Sequence, residues 1–347
     1  MQPGAAPSTP PGSDVGPPSA DGPEDLRPPP LGERWPLLVG AFVGIVMRLV
    51  FSGDGGSALS AMAGGFIYPV PILVGMVTVY LAERQRRRSW RYYAFAPMLA
   101  ISWMVLGTLL ILIEGLICAI IIIPLFAVLS TAGGLVMGAL CRLGRWPKAT
   151  LRCVGALPFL VAGLGDRIPT PADHGTLERS IVIHAPPSAV WQQIFDIDGI
   201  TRDEMGSAWA VRIGVPPPIS GRLRETAEGR VRTTTWGKQV HFDEVIRDWV
   251  PERHVRWSYR FSGDSFPPGA LDDHVVIGGH YFDLVDTSFT LEPEGGSTRL
   301  TTRVRYRVST QFNFYADGVA RFLLGDLSEA GLRLYKARTE AAIAAAR

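Results

Sequence analysis

Cysteine is scarce in this chain, three in 347 residues, which is too few for a disulfide framework. No Gly-rich phosphate loop, Gly-x-Ser-x-Gly elbow or His-Glu-x-x-His pair occurs, so nucleotide-binding, serine-hydrolase and zinc-peptidase chemistry gain no support. A net charge of only +2 excludes a strongly basic nucleic-acid binder, and 47% hydrophobic residues exclude a mainly disordered chain. Aromatic residues are missing from residues 1–33, which hold 10 of the 28 prolines. Charge is nearly missing from residues 35–140, where nine charged residues occur and six of them crowd into 83–91. Histidine is absent before position 174 and cysteine after position 153. The mean hydropathy of +0.17, high for a soluble protein, averages over these unlike parts.

Residues 1–33 cannot bury enough apolar surface to offset their ordering entropy and are expected to be a disordered Pro-rich tail. They lack the basic start and apolar run of a secretory signal. Residues 34–166 read as a transmembrane bundle. A hydrocarbon core about 30 Å thick needs a helix of roughly 20 apolar residues. Residues 35–51 qualify narrowly, with Arg48 placed to snorkel. Residues 57–82 carry Pro69 and Pro71, where a kink is expected. Residues 92–113 and 116–140 are the clearest spans, and only Glu114 and Gly115 join them into a hairpin. Ala132, Gly133, Gly134 and Gly138 suit close helix contact in the fourth span.

Arg84, Arg86, Arg87, Arg88 and Arg91 follow the second span; Arg142, Arg145, Lys148 and Arg152 follow the fourth. The opposite connections hold only Asp54 and Glu114. The positive-inside rule then puts both basic loops and the N-terminus in the cytoplasm of a cell whose inner membrane the chain spans several times. Residues 153–165 are 13 apolar residues around Pro158, short of a full crossing. Extended to 149–165, with Lys148 and Arg152 snorkelling, they cross if the bilayer thins locally. Crossing makes the C-terminal domain extracytoplasmic; lying in the interface makes it cytoplasmic. The basic start and Asp166 favour crossing.

After a linker at 167–177, residues 178–347 have the charge density of a water-soluble domain: from position 167 onward there are 22 basic and 23 acidic residues. A strand is expected at 179–184, then a short helix at 189–195 with Ser188 as its cap. Period-two alternation marks strands at 254–262 and 298–308, and Gly295-Gly296 signals a hairpin before the second. A long helix follows at 313–345, with Tyr315, Val319, Phe322, Leu323, Leu327, Ala330, Leu334 and Ala337 recurring every three or four positions. Gly318, Gly325 and Gly331 hint at another surface approaching that helix. The order is α+β.

The opening Ser180-Ile-Val-Ile-His-Ala-Pro-Pro-Ser-Ala-Val-Trp-Gln-Gln-Ile-Phe-Asp196 resembles the start of the START/SRPBCC superfamily, the polyketide cyclase/dehydrase group. Phe242-Asp-Glu-Val-Ile-Arg-Asp-Trp-Val-Pro-Glu-Arg-His-Val-Arg-Trp257 is similar to that group's middle hairpin. The resemblance implies a helix-grip fold, an antiparallel sheet around the long C-terminal helix with an elongated apolar pocket between them. It implies no single chemistry, because members bind lipids, transfer them or cyclise polyketides. The fold class expected is therefore an α-helical transmembrane bundle of four or five spans followed by an α+β helix-grip domain.

His274, His280, Tyr281 and Asp283 form the densest set of chemically capable residues and are the catalytic candidates. Their alternative is a strand whose histidines face water, with Gly278-Gly279 as a bulge. On alternation His280 shares a face with Phe282 and Leu284. The pocket candidates are Trp209, Trp257, Tyr259 and His280, with Phe282, Tyr306, Phe314 and Phe322. No metal or cofactor is expected, since the domain lacks cysteine and helically spaced histidine pairs. The Arg299, Arg303, Arg305 and Arg307 face reads as a solvated strand face or an anionic-lipid surface. Glu114 is expected among headgroups. The partners expected are the lipid bilayer and a hydrophobic small molecule or lipid, not nucleic acid; oligomeric state stays open. Three functions follow: ligand binding, which is favoured; a cyclase- or dehydratase-type enzyme using pocket His, Asp or Tyr; or a structural protein whose pocket is filled by its own side chains.

Overall fold

The computed structural model describes residues 34–53, 57–144, 148–165, 170–227, 229–271 and 275–346. The expected tail at 1–33, Asp54 and His274 lie outside these residues. Pro36–Arg347 form one compact unit, which holds both the helices and the sheet.

The helical part comprises α1 (Trp35–Val50), α2 (Gly64–Ile67), α3 (Pro69–Glu83), α4 (Trp90–Leu110), α5 (Leu116–Leu143) and α6 (Lys148–Gly165). Three stretches are long and apolar enough to cross a membrane: Gly64–Glu83, Trp90–Leu110 and Leu116–Leu143. α1 and Arg152–Leu164 within α6 are apolar but shorter. The expected second span starts later, because residues 57–63 form turns, and it breaks at Tyr68, after which Pro69 takes the first position of α3. The hairpin between α4 and α5 is also longer than two residues. α4 stops at Leu110, and Leu112 takes a left-handed φ of 59°.

Glycine sets the spacing between helices. A β-carbon on Gly133 would stand 2.3 Å from the Ile72 carbonyl oxygen, and one on Gly138 would stand 2.3 Å from the Tyr93 ring. α6 runs the length of the bundle. Val154, near its start, packs with Tyr80, Tyr93 and Met137 beside the arginine-rich turn, whereas a β-carbon on Gly65 would meet Ala162 near its end at 2.8 Å. At the arginine-rich end the buried Glu83 carboxylate accepts from the Tyr93 hydroxyl and the Arg88 amide, both at 2.7 Å.

The second part follows the order β1 (Asp173–Ile183), α7 (Pro187–Phe195), β2 (Asp196–Ile197), α8 (Arg202–Met205), α9 (Trp209–Arg212), β3 (Pro218–Thr226), β4 (Gly229–Trp236), β5 (His241–Val250), β6 (His254–Arg260), β7 (Phe282–Glu294), β8 (Ser297–Val308) and α10 (Asn313–Ala345). The eight strands make one antiparallel sheet in the order β1-β8-β7-β6-β5-β4-β3-β2. Each β-strand points alternate side chains to opposite faces. The inner face carries Ile183, Val255, Trp257, Phe289, Leu291 and Leu300, packed with Ile194 of α7 and Leu332 of α10.

Strand β1 begins at Asp173, so residues 173–177, expected as linker, are strand paired from Asp173↔Val308 onward. Leu177 alone among those five is apolar and buried, which left no alternation to read. Helix α7 starts at Pro187 and is capped by Pro186 without a side-chain bond, so Ser188 lies inside it. The β7–β8 turn falls on Gly295 and Gly296, at φ 51° and 90°. Of the three α10 glycines only Gly325 meets a neighbour, the Arg179 guanidinium; Gly318 and Gly331 face open space.

The sheet domain sits on the end of the bundle away from the arginine-rich turn. Phe312, just before α10, joins a bundle core with Phe51, Phe66, Val70 and Phe126. The Gly64 amide donates to Gln311 Oε1 at 2.6 Å, and the Tyr68 hydroxyl donates to the Gln311 carbonyl at 2.9 Å. Ser60 Oγ and Tyr281 Oη are 2.9 Å apart, and the Tyr315 hydroxyl donates to the Ile121 carbonyl of α5.

Candidate ligand cavity

Between sheet and α10 lies a cavity of about 460 Å³ that continues into the bundle. Alternation on four strands turns one set of side chains toward it: Thr234 and Trp236 from β4, Phe242 from β5, Trp257 and Tyr259 from β6, Thr287 and Phe289 from β7. Helix α10 closes the other side with Tyr315, Val319, Leu323 and Leu327, one residue per turn. The bundle supplies the third wall through Met104, Val105 and Thr108 of α4 and Ile117, Cys118, Ile121 and Ile122 of α5.

Two ion pairs interrupt this apolar lining. Arg232 of β4 and Glu244 of β5 are direct cross-strand partners, and Arg232 Nη1 lies 2.5 Å from Glu244 Oε2. Both are buried. Gly221 makes room for the guanidinium, since a β-carbon there would stand 2.1 Å from Arg232 Nη2. The cation lies 5.7 Å from the Trp257 ring centre. Burial pushes the Glu244 carboxyl above its ordinary pKa, and Arg232 opposes that rise; Arg232 is held protonated by Glu244 against its own burial. Burial also raises the phenols of Tyr259 and Tyr335, and Tyr259 shares a 2.6 Å hydroxyl contact with Thr287.

The second pair, Arg48–Glu114, belongs to the bundle and also lines the cavity. Arg48 is buried and donates from Nη1 to the Phe51 carbonyl at 2.9 Å. It therefore does not snorkel, and Glu114 is turned inward rather than toward headgroups. A buried cation holds its partner carboxylate more firmly than water at a loop tip does.

Solved structures similar to the sheet domain include a START superfamily protein from Mycobacterium smegmatis, at 14% identity over 48% of this chain and 98% of that one, with a TM-score of 0.32. Another is the Zhui aromatase/cyclase from Streptomyces sp. R1128, at 13% identity over 48% of this chain and 94% of that one, with a TM-score of 0.30. No curated protein matches the chain. Residues 174–340 match the family model described as polyketide cyclase / dehydrase and lipid transport. The C-terminal half is a START/SRPBCC domain.

Within this SRPBCC domain Trp257, Tyr259 and Phe282 line the cavity, as does Tyr281. The other expected residues lie elsewhere. Tyr306 is buried against Gly175, and its hydroxyl donates to Asp317 at 2.8 Å, which with burial lifts its pKa to about 12. Phe314 and Phe322 are 72% and 56% exposed, because the cavity face of α10 runs through Tyr315, Val319 and Leu323, about 100° away. Trp209 is half exposed on α9, with Arg212 5.8 Å from its ring centre.

Of the catalytic candidates among the described residues, Tyr281 lines the cavity and His280 and Asp283 do not. His280 is exposed, with its ring edge-on to Tyr281 at 4.8 Å, because it precedes β7 and escapes that strand's alternation. Gly278 and Gly279 likewise lie in the loop before β7 rather than forming a bulge in it. Asp283 faces its cross-strand partner Arg307 instead of the cavity; burial raises its carboxyl and Arg307 opposes the rise. The arginine face of β8 is a paired, solvated surface: Arg299 binds Glu294, Arg303 binds Glu178, Arg305 binds Asp286, and Arg307 donates to the carbonyls of Gly279 and His280.

Arg232 and Glu244 are cavity residues of the sheet that the sequence analysis did not single out. A signal was present. Arg232 alternates with Thr234 and Trp236, and Glu244 with Phe242, so each is a charge set on an otherwise inward face.

Proposed function

We propose that the chain is a membrane-embedded binding protein whose SRPBCC domain takes up a hydrophobic ligand, a lipid or polyketide-like molecule, directly from the bilayer. One observation carries this reading: the cavity under α10 has its third wall in the apolar helices α4 and α5. A ligand dissolved in the bilayer would reach the cavity without crossing water, and apolar burial at about 25 cal/mol per Å² would hold it. In this reading α1, the α2–α3 pair, α4, α5 and α6 make five crossings of an inner membrane. The arginine-rich turn and the N-terminus are cytoplasmic by the positive-inside rule. The SRPBCC domain, at the other end of the bundle, is then extracytoplasmic. The length of α6 along the bundle supports this over an interfacial helix.

The test is co-purification. Full-length protein taken from membranes in mild detergent should carry a near-stoichiometric organic-soluble molecule, identified by mass spectrometry. Leu323→Trp, which fills the cavity from α10, should reduce its recovery about fivefold or more. Unmodified protein that is folded and carries nothing hydrophobic defeats the proposal.

A further inference from the structure

The charged residues lining the cavity, among the described residues, are Arg48, Glu114, Arg232 and Glu244. Each arginine is joined to one of the glutamates, Arg48 to Glu114 and Arg232 to Glu244. Among the described residues the lining is therefore polar in two places, and its formal charges balance. Its remaining polar groups are neutral: hydroxyls, among them Thr108, Thr234, Tyr259 and Thr287, the Cys118 thiol, and the indole N–H groups of Trp236 and Trp257, which like Arg232 Nε are buried without a hydrogen-bond partner.

A buried charge without a partner is far more costly than a buried hydroxyl or carbonyl, which needs a single hydrogen bond. A carboxylate or phosphate in this cavity would have to share the charge of an arginine with Glu244 or Glu114, bringing like charges together away from water. An ammonium would face the mirror-image problem with Arg232 or Arg48. We infer that the cavity selects an amphiphile bearing hydroxyl or carbonyl groups but no formal charge, and that Glu244 and Glu114 enforce the choice by neutralising their arginines. This rests on the ligand-binding reading above and adds a chemical class to it. One pair lies on the sheet and the other in the bundle, so both walls of the cavity carry a balanced charge.

Three probes with the same hydrocarbon chain separate the possibilities: oleyl alcohol, oleate and oleylamine. Delipidated full-length protein in neutral detergent at neutral pH is incubated with each, and retention is read by native mass spectrometry. The alcohol is expected to be retained about tenfold or more over both charged probes. Glu244→Gln frees the charge of Arg232 and should shift the ratio toward oleate by about tenfold, whereas Arg232→Gln should shift it toward oleylamine. Removing both charges together should restore preference for the alcohol. If unmodified protein retains oleate or oleylamine as well as the alcohol, the inference is overturned while ligand binding stands. If it retains none of the three, the inference is overturned, and the co-purified molecule alone decides the binding reading. The comparison on unmodified protein decides the matter even where a single variant does not fold.

Discussion

The hydroxyls of Ser60 and Tyr281 lie 2.9 Å apart, although 221 residues separate them in the chain. Ser60 precedes the first turn of α2, and Tyr281 precedes β7, so this contact joins the bundle to the SRPBCC domain. Both residues are buried. Ser60→Ala and Tyr281→Phe, made singly and together, should show a coupling of about 0.5–1.5 kcal/mol in thermal unfolding of the detergent-solubilised protein. Strict additivity would mean that the hydroxyls do not hold the seam.

Arg48 and Glu114 make a stronger claim on stability. Glu114→Gln takes a carboxylate away from a buried guanidinium and should cost about 3–5 kcal/mol. Replacing the two together, Arg48→Met with Glu114→Leu, should recover most of that loss. Chemical denaturation in mixed micelles measures both. A single variant as stable as the unmodified protein would show that the pair is solvated.

Acid should weaken the SRPBCC domain through Glu204. Two hydrogen bonds from Arg338, helped by the Thr201 amide and hydroxyl, hold this carboxyl at about 2 against an ordinary 4.5. A lowered folded-state pKa favours the folded protein when the carboxylate is ionised. Its stabilisation is thus complete above pH 4.5 and is lost as pH falls toward about 2. The pair is partly exposed, so screening limits the effect to about 1–2 kcal/mol. Melting temperature followed through that acid window should fall less steeply in Arg338→Gln than in the unmodified protein. Parallel curves would remove Glu204 from the account.

Membrane sidedness is read by reporters fused after Arg347. Alkaline phosphatase, active only outside the cytoplasm, should be active there, and a fluorescent protein that matures only in the cytoplasm should stay dark. The same pair fused within the 84–91 turn should give the opposite pattern. A fluorescent C-terminus would make α6 something other than a fifth crossing.

Much of this architecture was legible because local chemistry and tertiary role agreed. Gly295 and Gly296 accept the positive φ that the β7–β8 turn needs, and the repeat through Tyr315, Val319, Leu323 and Leu327 marks the cavity face of α10. Legibility failed where a residue's role came from a distant part of the chain. The polar start of β1 carries no pattern of its own and is strand because β8 pairs with it. Arg48 looks like a snorkelling residue until Glu114, 66 positions on, is brought against it. Histidines make residues 274–283 conspicuous in the sequence, yet the charges in the cavity belong to Arg48, Glu114, Arg232 and Glu244. Chemical capability was easier to see in the sequence than orientation was. Least accessible of all was the bundle's share of the cavity wall, since no pattern within either half reports on the other.

That shared wall changes what the bundle is for. Ile117, Cys118, Ile121 and Ile122 form the floor of a vessel whose sides are the sheet and α10. Severed from the bundle, the SRPBCC domain would be a vessel without a bottom, and the greasy face of Phe312 would be left bare. In the proposed membrane-embedded reading, bilayer thickness and lateral pressure would act on the tilt of α5, and those four side chains would move with it. The capacity of the cavity would then be set partly by the lipid mixture around the protein, and the proposed supplier of cargo would also be a component of its container.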